Sequence, residues 1–158
     1  MVSITRRTPN ESDIIELGQS LRQWDIDELQ AVTTQTPSDS VRASVLNSDP
    51  RYCWAYHADG KLLCLCGCTR SGAPWLLATP LLNHHTKRLT QTVKHEVRMM
   101  LETYPRLANM IDVRSTQTIR WLKLLGFRFT ETLELKPGFP VICFEMVCDV
   151  KRIGRDTA

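Results

Sequence analysis

Three cysteines stand two residues apart in KLLCLCGCTR, at Cys64, Cys66 and Cys68, and sulfur at that density invites a metal or redox reading. The spacing argues against it. On an extended chain, residues two apart share a face and lie about 7 Å from each other, so one regular strand cannot close three thiolates around a tetrahedral zinc. The expectation is small, buried, reduced thiols filling one sheet face, with Cys53, Cys143 and Cys148 in strand-like runs read the same way. A second group is the paired His84 and His85 with Lys87 and Arg88 in PLLNHHTKRLTQ. It places positive charge at a helix start, where anions are held. As a metal site it is incomplete, because no carboxylate or cysteine stands beside the histidines. Together with Lys94, His95 and Arg98 these cations read first as a solvated helix face.

The chain behind these groups has 158 residues, enough for one domain with a substantial core. Apolar residues are 42% and charged residues 23%, ordinary for a globular protein. No apolar run approaches the roughly 18 to 20 residues that a membrane-crossing helix needs. The opening MVSITRRTPNESD lacks the apolar centre of a signal peptide, which points to the cytosol. A net charge of +3, scattered along the chain, gives nucleic-acid binding little support. Lys151, Arg152 and Arg155 mark residues 149–158 as a polar basic tail behind a domain over 1–148.

Periodicity assigns the elements. Val2 to Arg6 alternates as a strand, and TPNESDIIELGQSL follows as a helix with Pro9 and acidic residues at its start. Trp24 to Val32 reads as a second helix with Trp24, Leu29 and Val32 partly buried, and Ser38 or Asp39 could cap a short third helix through Leu46. From Arg51 the period changes to two. Asp59-Gly60 between apolar runs is a strong hairpin signal, and with Trp75 to Thr79 it makes a three-strand meander. After a loop from Thr79 to His85, the apolar positions Leu89, Val93, Val97, Met100, Leu101 and Tyr104 predict the longest helix, ended by Pro105. ANMIDV is a short strand. Ile119, Leu122 and Leu125 then share a helical face, Gly126 ends that helix in the left-handed conformation, and FRFTETLEL and VICFEMVC close a hairpin through Lys136-Pro137-Gly138.

This order, β-α-α-β-β-β-α-β-α-β-β, resembles the GCN5-related N-acetyltransferase (GNAT) fold over nearly the whole chain. The resemblance implies a single α+β domain, with a mixed, mostly antiparallel central sheet of about seven strands flanked by helices. In that family a glycine-containing loop opening the long helix holds the pyrophosphate of acetyl-coenzyme A, and PLLNHHTKRLTQ has no glycine. If a cofactor binds, the positions implied are Leu77, Thr79, His85, Thr86, Lys87 and Arg88. Aligning on Gly126-Phe127 places Ser115 at the usual Asn, Thr118 at the usual Ala and Leu122 at the Tyr that often serves as the acid. Leucine donates no proton, and general acid catalysis typically contributes ~10²- to 10⁴-fold. Trp75 to Ala78 carries no carboxylate, which leaves Asp112, His57 and Glu145 as candidate bases.

Within this fold the chain resembles the internal virion protein A family of short-tailed phages. SITRRT before an acidic helix, TKRLTQTVKHEVRMMLETYPRLANMI and above all STQTIRWLKLLGFRF carry that likeness. It implies a virion-associated or assembly protein on a degenerate acetyltransferase-like scaffold, with no assigned catalytic residue, no cofactor and no metal. It would act through contacts with other phage virion or assembly proteins, by way of Trp24 and the tail beyond Cys148, in the host cytoplasm during infection or in the virion. The alternative is an active N-acetyltransferase that uses acetyl-CoA on a host protein or small amine, the cofactor lying between Trp75–Thr79 and Asn109–Val113.

Overall fold

The computed structural model describes residues 2–148, so the basic tail expected at 149–158 lies outside the described residues. The chain opens with β1 (Ile4–Arg7) and three helices, α1 (Glu11–Ser20), α2 (Gln23–Val32) and α3 (Pro37–Asn47). The meander β2 (Ser48–Ala58), β3 (Lys61–Thr69) and β4 (Pro74–Ala78) follows. A 3₁₀ turn at Pro80–His84 leads into α4 (Thr86–Thr103), then β5 (Arg106–Asp112), α5 (Thr116–Leu125), β6 (Arg128–Lys136) and β7 (Phe139–Val147). Among the described residues no helix is long and apolar enough to cross a membrane.

Local chemistry sets the ends of these elements. Asn10 caps α1 by accepting the Asp13 N–H, and the Asp13 carboxylate accepts the Asn10 N–H, each at 2.9 Å. The third helix begins earlier than expected. Thr36 rather than Ser38 or Asp39 is its cap, because Thr36 Oγ1 accepts the Asp39 N–H and Pro37 is preset for the first helical position. Asp59 and Gly60 both take positive φ, as a two-residue hairpin requires. Gly126 ends α5 at φ +105, its N–H bonding back to the carbonyls of Leu122 and Lys123. Gly126→Ala is expected to cost about 1–2 kcal/mol, read as a lower urea midpoint with an unchanged slope.

The strands form two antiparallel sheets, β1-β2-β3-β4 and β5-β7-β6, rather than one continuous central sheet. β4 and β5 meet only near their starts. The Ala108 N–H donates to the Gly72 carbonyl at 3.1 Å, and Asn109 Nδ2 donates to the Pro74 carbonyl at 2.8 Å. Beyond this junction the two strands part.

Each face of the first sheet is buried. Ile14 and Leu17 of α1 and Val41 of α3 pack on Ala55, Leu65 and Leu77. Leu89 and Val93 of α4 pack on the other face against Tyr56, Cys64 and Cys66, so the alternating thiols are buried side by side as their spacing implied. Val97 and Met100 of α4 and Leu122 and Leu125 of α5 cover Leu107, Ile111 and Phe144 of the second sheet. The stripe of α4 carries one carboxylate, Glu96, fully buried and held by Arg6 at 2.5 Å and by the Tyr56 hydroxyl.

Candidate active site

The parting of β4 and β5 opens a cavity of about 310 Å³ that reaches from α2 to the inner faces of α4 and α5. Its size is at the lower end of small-molecule sites. Which backbone groups face it follows from strand alternation. Thr79 N–H bonds the Leu63 carbonyl of β3 at 3.0 Å, so the main-chain groups of Trp75 and Leu77 also turn toward β3, while those of Leu76 and Ala78 turn toward the cleft. On β5 the cleft-side amides are those of Ala108, Met110 and Asp112.

α2 lies across the open end and takes up three of these groups. Its Asp25 accepts the Ala78 N–H at 3.1 Å, the Arg22 N–H donates to the Ala78 carbonyl at 2.8 Å, and Glu28 accepts the Asp112 N–H at 2.9 Å. The Asn109 side chain accepts the Met110 N–H at 2.8 Å. Leu76 remains. Among the described residues its N–H and C=O have no partner, so β4 presents one free donor and acceptor to the cleft.

Glu28 is the chemically distinctive group. Burial, reinforced by the negative charges of Asp25 and Asp112, pushes its carboxyl up to about 7, against the Asp112 N–H and Arg22, which favour the ionised form. A carboxylate with that value can take a proton near neutral pH. Its neighbours are committed elsewhere. Burial also raises Asp25, yet Asp25 is paired with Arg22 Nε at 2.9 Å. Burial acts on Asp112 as well, but the hydrogen bonds from Arg114, the shortest side-chain one at 2.8 Å, hold that carboxyl below its ordinary value.

A second cavity, of about 290 Å³, adjoins the first at the start of α4. Arg22, Asn83, Thr86, Gln117, Thr118 and Arg120 supply its polar lining. Arg22 borders both cavities, stacks on the Trp24 ring at 4.6 Å and donates to Asn83 Oδ1 at 3.3 Å. Arg120 and the amides opening α4 bring positive charge to this cavity, while the Arg22 guanidinium, already paired with Asp25, adds hydrogen-bond donors.

The residues singled out by sequence fall unevenly around these cavities. Leu77 lines the cleft by its side chain and Thr86 lines the second cavity, whereas Thr79 is spent on the Leu62 and Leu63 carbonyls. Neither cavity is lined by His85, Lys87 or Arg88, and Arg88 donates to the Val2 carbonyl at 2.7 Å. Leu122 is on the cleft wall, and Ser115 precedes α5 with its hydroxyl buried and unpartnered among the described residues. Of the candidate bases only Asp112 borders the cleft. His57 Nε2 is 3.4 Å from Asp13 on a different face, and Glu145 lies between Arg106 and Arg128, which hold its carboxyl below the usual range. Trp24 lines the cleft with its ring N–H unpartnered among the described residues, while Val32, expected to be partly buried, is 62% exposed because it ends α2 at the rim. Arg22, Asp25, Glu28 and Arg120 were not singled out. The readable signal was Asp25 and Glu28 at i and i+3 on the same side of α2 as Leu29 and Val32, carboxylates set in an apolar stripe.

No family model matches the chain, and no curated protein sequence matches it. Solved structures do. The chain is similar to YncA of Salmonella typhimurium, solved with its cofactor acetyl-CoA, at a TM-score of 0.63 and 13% identity over 93% of this chain and 95% of that one. It is similar to RimL, the ribosomal L7/L12 α-N-protein acetyltransferase, in complex with coenzyme A, at 0.63 and 12% identity over 93% and 95% of the two chains. A GNAT-family acetyltransferase of Bacillus anthracis matches at 0.64 with 8% identity over 91% and 94%. At these identities the likeness establishes the fold, which is that of the GNAT acetyltransferases. Nothing in the matches supports the virion-protein family.

Proposed function

We propose that the chain is an acetyl-CoA-dependent N-acetyltransferase in which Glu28 takes the proton from the attacking amine. The observation that carries this reading is a half-buried carboxyl raised to about 7, at the open end of a cleft between two parting strands. The acetyl-CoA and CoA named with YncA and RimL support the choice of cofactor, against the expectation of none.

The chain's own groups suit that cofactor. Leu76 offers one backbone donor and one acceptor to an amide-bearing arm, and Arg120 and the amides opening α4 offer positive charge to its phosphates, with Arg22 as a further donor. Guanidinium charge stands where the family's glycine loop is missing. When bound, acetyl-CoA supplies an acetyl thioester whose C–S bond is exchanged for a C–N bond to the amine. Glu28 would receive the amine proton and, because Leu122 donates nothing, coenzyme A would leave as its thiolate; Trp24 and Phe139 shield the site from water, so one base and the positioning groups are the protein's whole contribution.

Titration with coenzyme A tests the reading. At about 100 times its dissociation constant the ligand should stabilise the fold by ~2.7 kcal/mol, seen as a rise in melting temperature. No rise at millimolar coenzyme A would count against it. Leu122 on the cleft wall favours a second reading, a non-catalytic binding scaffold of the kind the virion-protein resemblance implies, acting on protein partners. That reading expects no such rise.

A further inference from the structure

The acetyltransferase reading leaves the acceptor unnamed, and the walls around Glu28 constrain it. Resting on that reading, we propose that the acceptor is a primary amine carried on an apolar body, its nitrogen at Glu28 and its body against Val32, Met110 and Leu135. These three residues come from α2, β5 and β6, all line the same cavity, and are 62%, 42% and 40% exposed. Val32 lies one helical turn beyond Glu28, on its side of α2. Met110 and Asp112 share a face of β5, and their partners Cys143 and Val141, with Leu133 opposite Val141, extend that face across the second sheet. The helices α4 and α5 cover the other face, where Leu107 and Ile111 are buried, so substrate in solution meets the Met110 side.

Charge limits the acceptor to one cation. Four carboxylates line the cleft, but Asp25 is committed to Arg22, Asp112 to Arg114 and Glu96 to Arg6 and the Tyr56 hydroxyl, which leaves Glu28, held among the described residues by a backbone N–H alone. A polyamine or an aminoglycoside would bring further ammonium groups with no free carboxylate to meet them. A polyhydroxyl body gains nothing from the Asn109 amide, which is already used at both ends. The chemistry fits either an arylalkylamine or a polypeptide N-terminus that begins with large apolar residues.

Calorimetric titration of the full chain, with coenzyme A present, compares phenethylamine and the peptide Met-Leu-Gly-Pro with spermidine, kanamycin and the peptide Ser-Glu-Gly-Pro. At least one of the first two should bind tenfold or more tighter than all of the last three, because each methylene lost from an apolar pocket is worth roughly tenfold or more. Which of the two binds tighter identifies the source of the amine. Equal or reversed affinities, or no amine binding at millimolar concentration, would overturn the proposal. Met110→Gln with Leu135→Gln, both at exposed positions, should weaken the apolar amine about tenfold and leave the melting temperature nearly unchanged; an unchanged affinity would overturn it as well. Coenzyme A binding without apolar preference removes this proposal alone, whereas absence of coenzyme A binding removes the acetyltransferase reading and the acceptor role with it.

Discussion

Glu28→Gln is expected to lower the rate of amine acetylation by ~10²- to 10⁴-fold while leaving coenzyme A affinity within about twofold. The substitution is nearly isosteric, and its side-chain oxygen can still accept the Asp112 N–H that the carboxylate accepts at 2.9 Å. What is lost is the proton acceptor. In the unsubstituted protein the base is active only when ionised, so kcat/KM should rise with pH through about 7 and then level off. That limb should disappear in the variant. A residual rate within tenfold, or a limb that survives the substitution, would assign the base to another group.

The same residue predicts a stability effect of definite sign. Its carboxyl is raised from 4.5 to about 7 by folding, so the folded state favours the neutral form, and stability present in acid is lost as pH climbs through that interval. Glutamine cannot ionise. The variant should therefore match the parent near pH 4 and exceed it at pH 8, by roughly 3 kcal/mol in urea denaturation.

Arg22→Leu is expected to cost about 3–5 kcal/mol, because it leaves the Asp25 carboxylate buried without its partner. Arg22 is 6% exposed and Asp25 is 3% exposed, so water cannot replace the guanidinium. Without Arg22 the Asp25 carboxyl rises further, and protonation becomes its cheapest relief. The deficit should accordingly be smaller near pH 4 than at pH 7, as measured from urea midpoints. Adding Asp25→Asn should restore a large part of the loss, since the amide oxygen can still accept the Ala78 N–H that Asp25 accepts at 3.1 Å. A double variant as unstable as the single one would place the effect in lost packing on Trp24 rather than in charge. Arg22 also lines the second cavity, so coenzyme A should bind both variants more weakly.

Elements with local signals were legible. The Asp59-Gly60 hairpin, the α4 stripe and the Gly126 stop each depend on residues within a turn or two, and each stands where its spacing put it. The alternating thiols are buried for the same reason, because period two is a property of any strand. Boundaries slipped where a cap was misjudged, as with Thr36 ahead of Ser38. The single central sheet was also expected from element order, yet order does not say how far two neighbouring strands stay paired.

The site was much less legible. Sequence by itself determined the fold and one chemical fact about the cleft, that Leu122 supplies no acid, since identity at an aligned position needs no coordinates. Only the tertiary structure decided where the strands part and which helix lies across the opening. Glu28 meets Asp112 across 84 residues and Asp25 meets Ala78 across 53. A carboxyl's proton affinity depends on the burial and charges that such distant segments bring to it, and no local pattern carries that information. In the sequence Glu28 is one glutamate on a short amphipathic helix; in the fold it is a carboxyl of raised proton affinity at the mouth of the cleft.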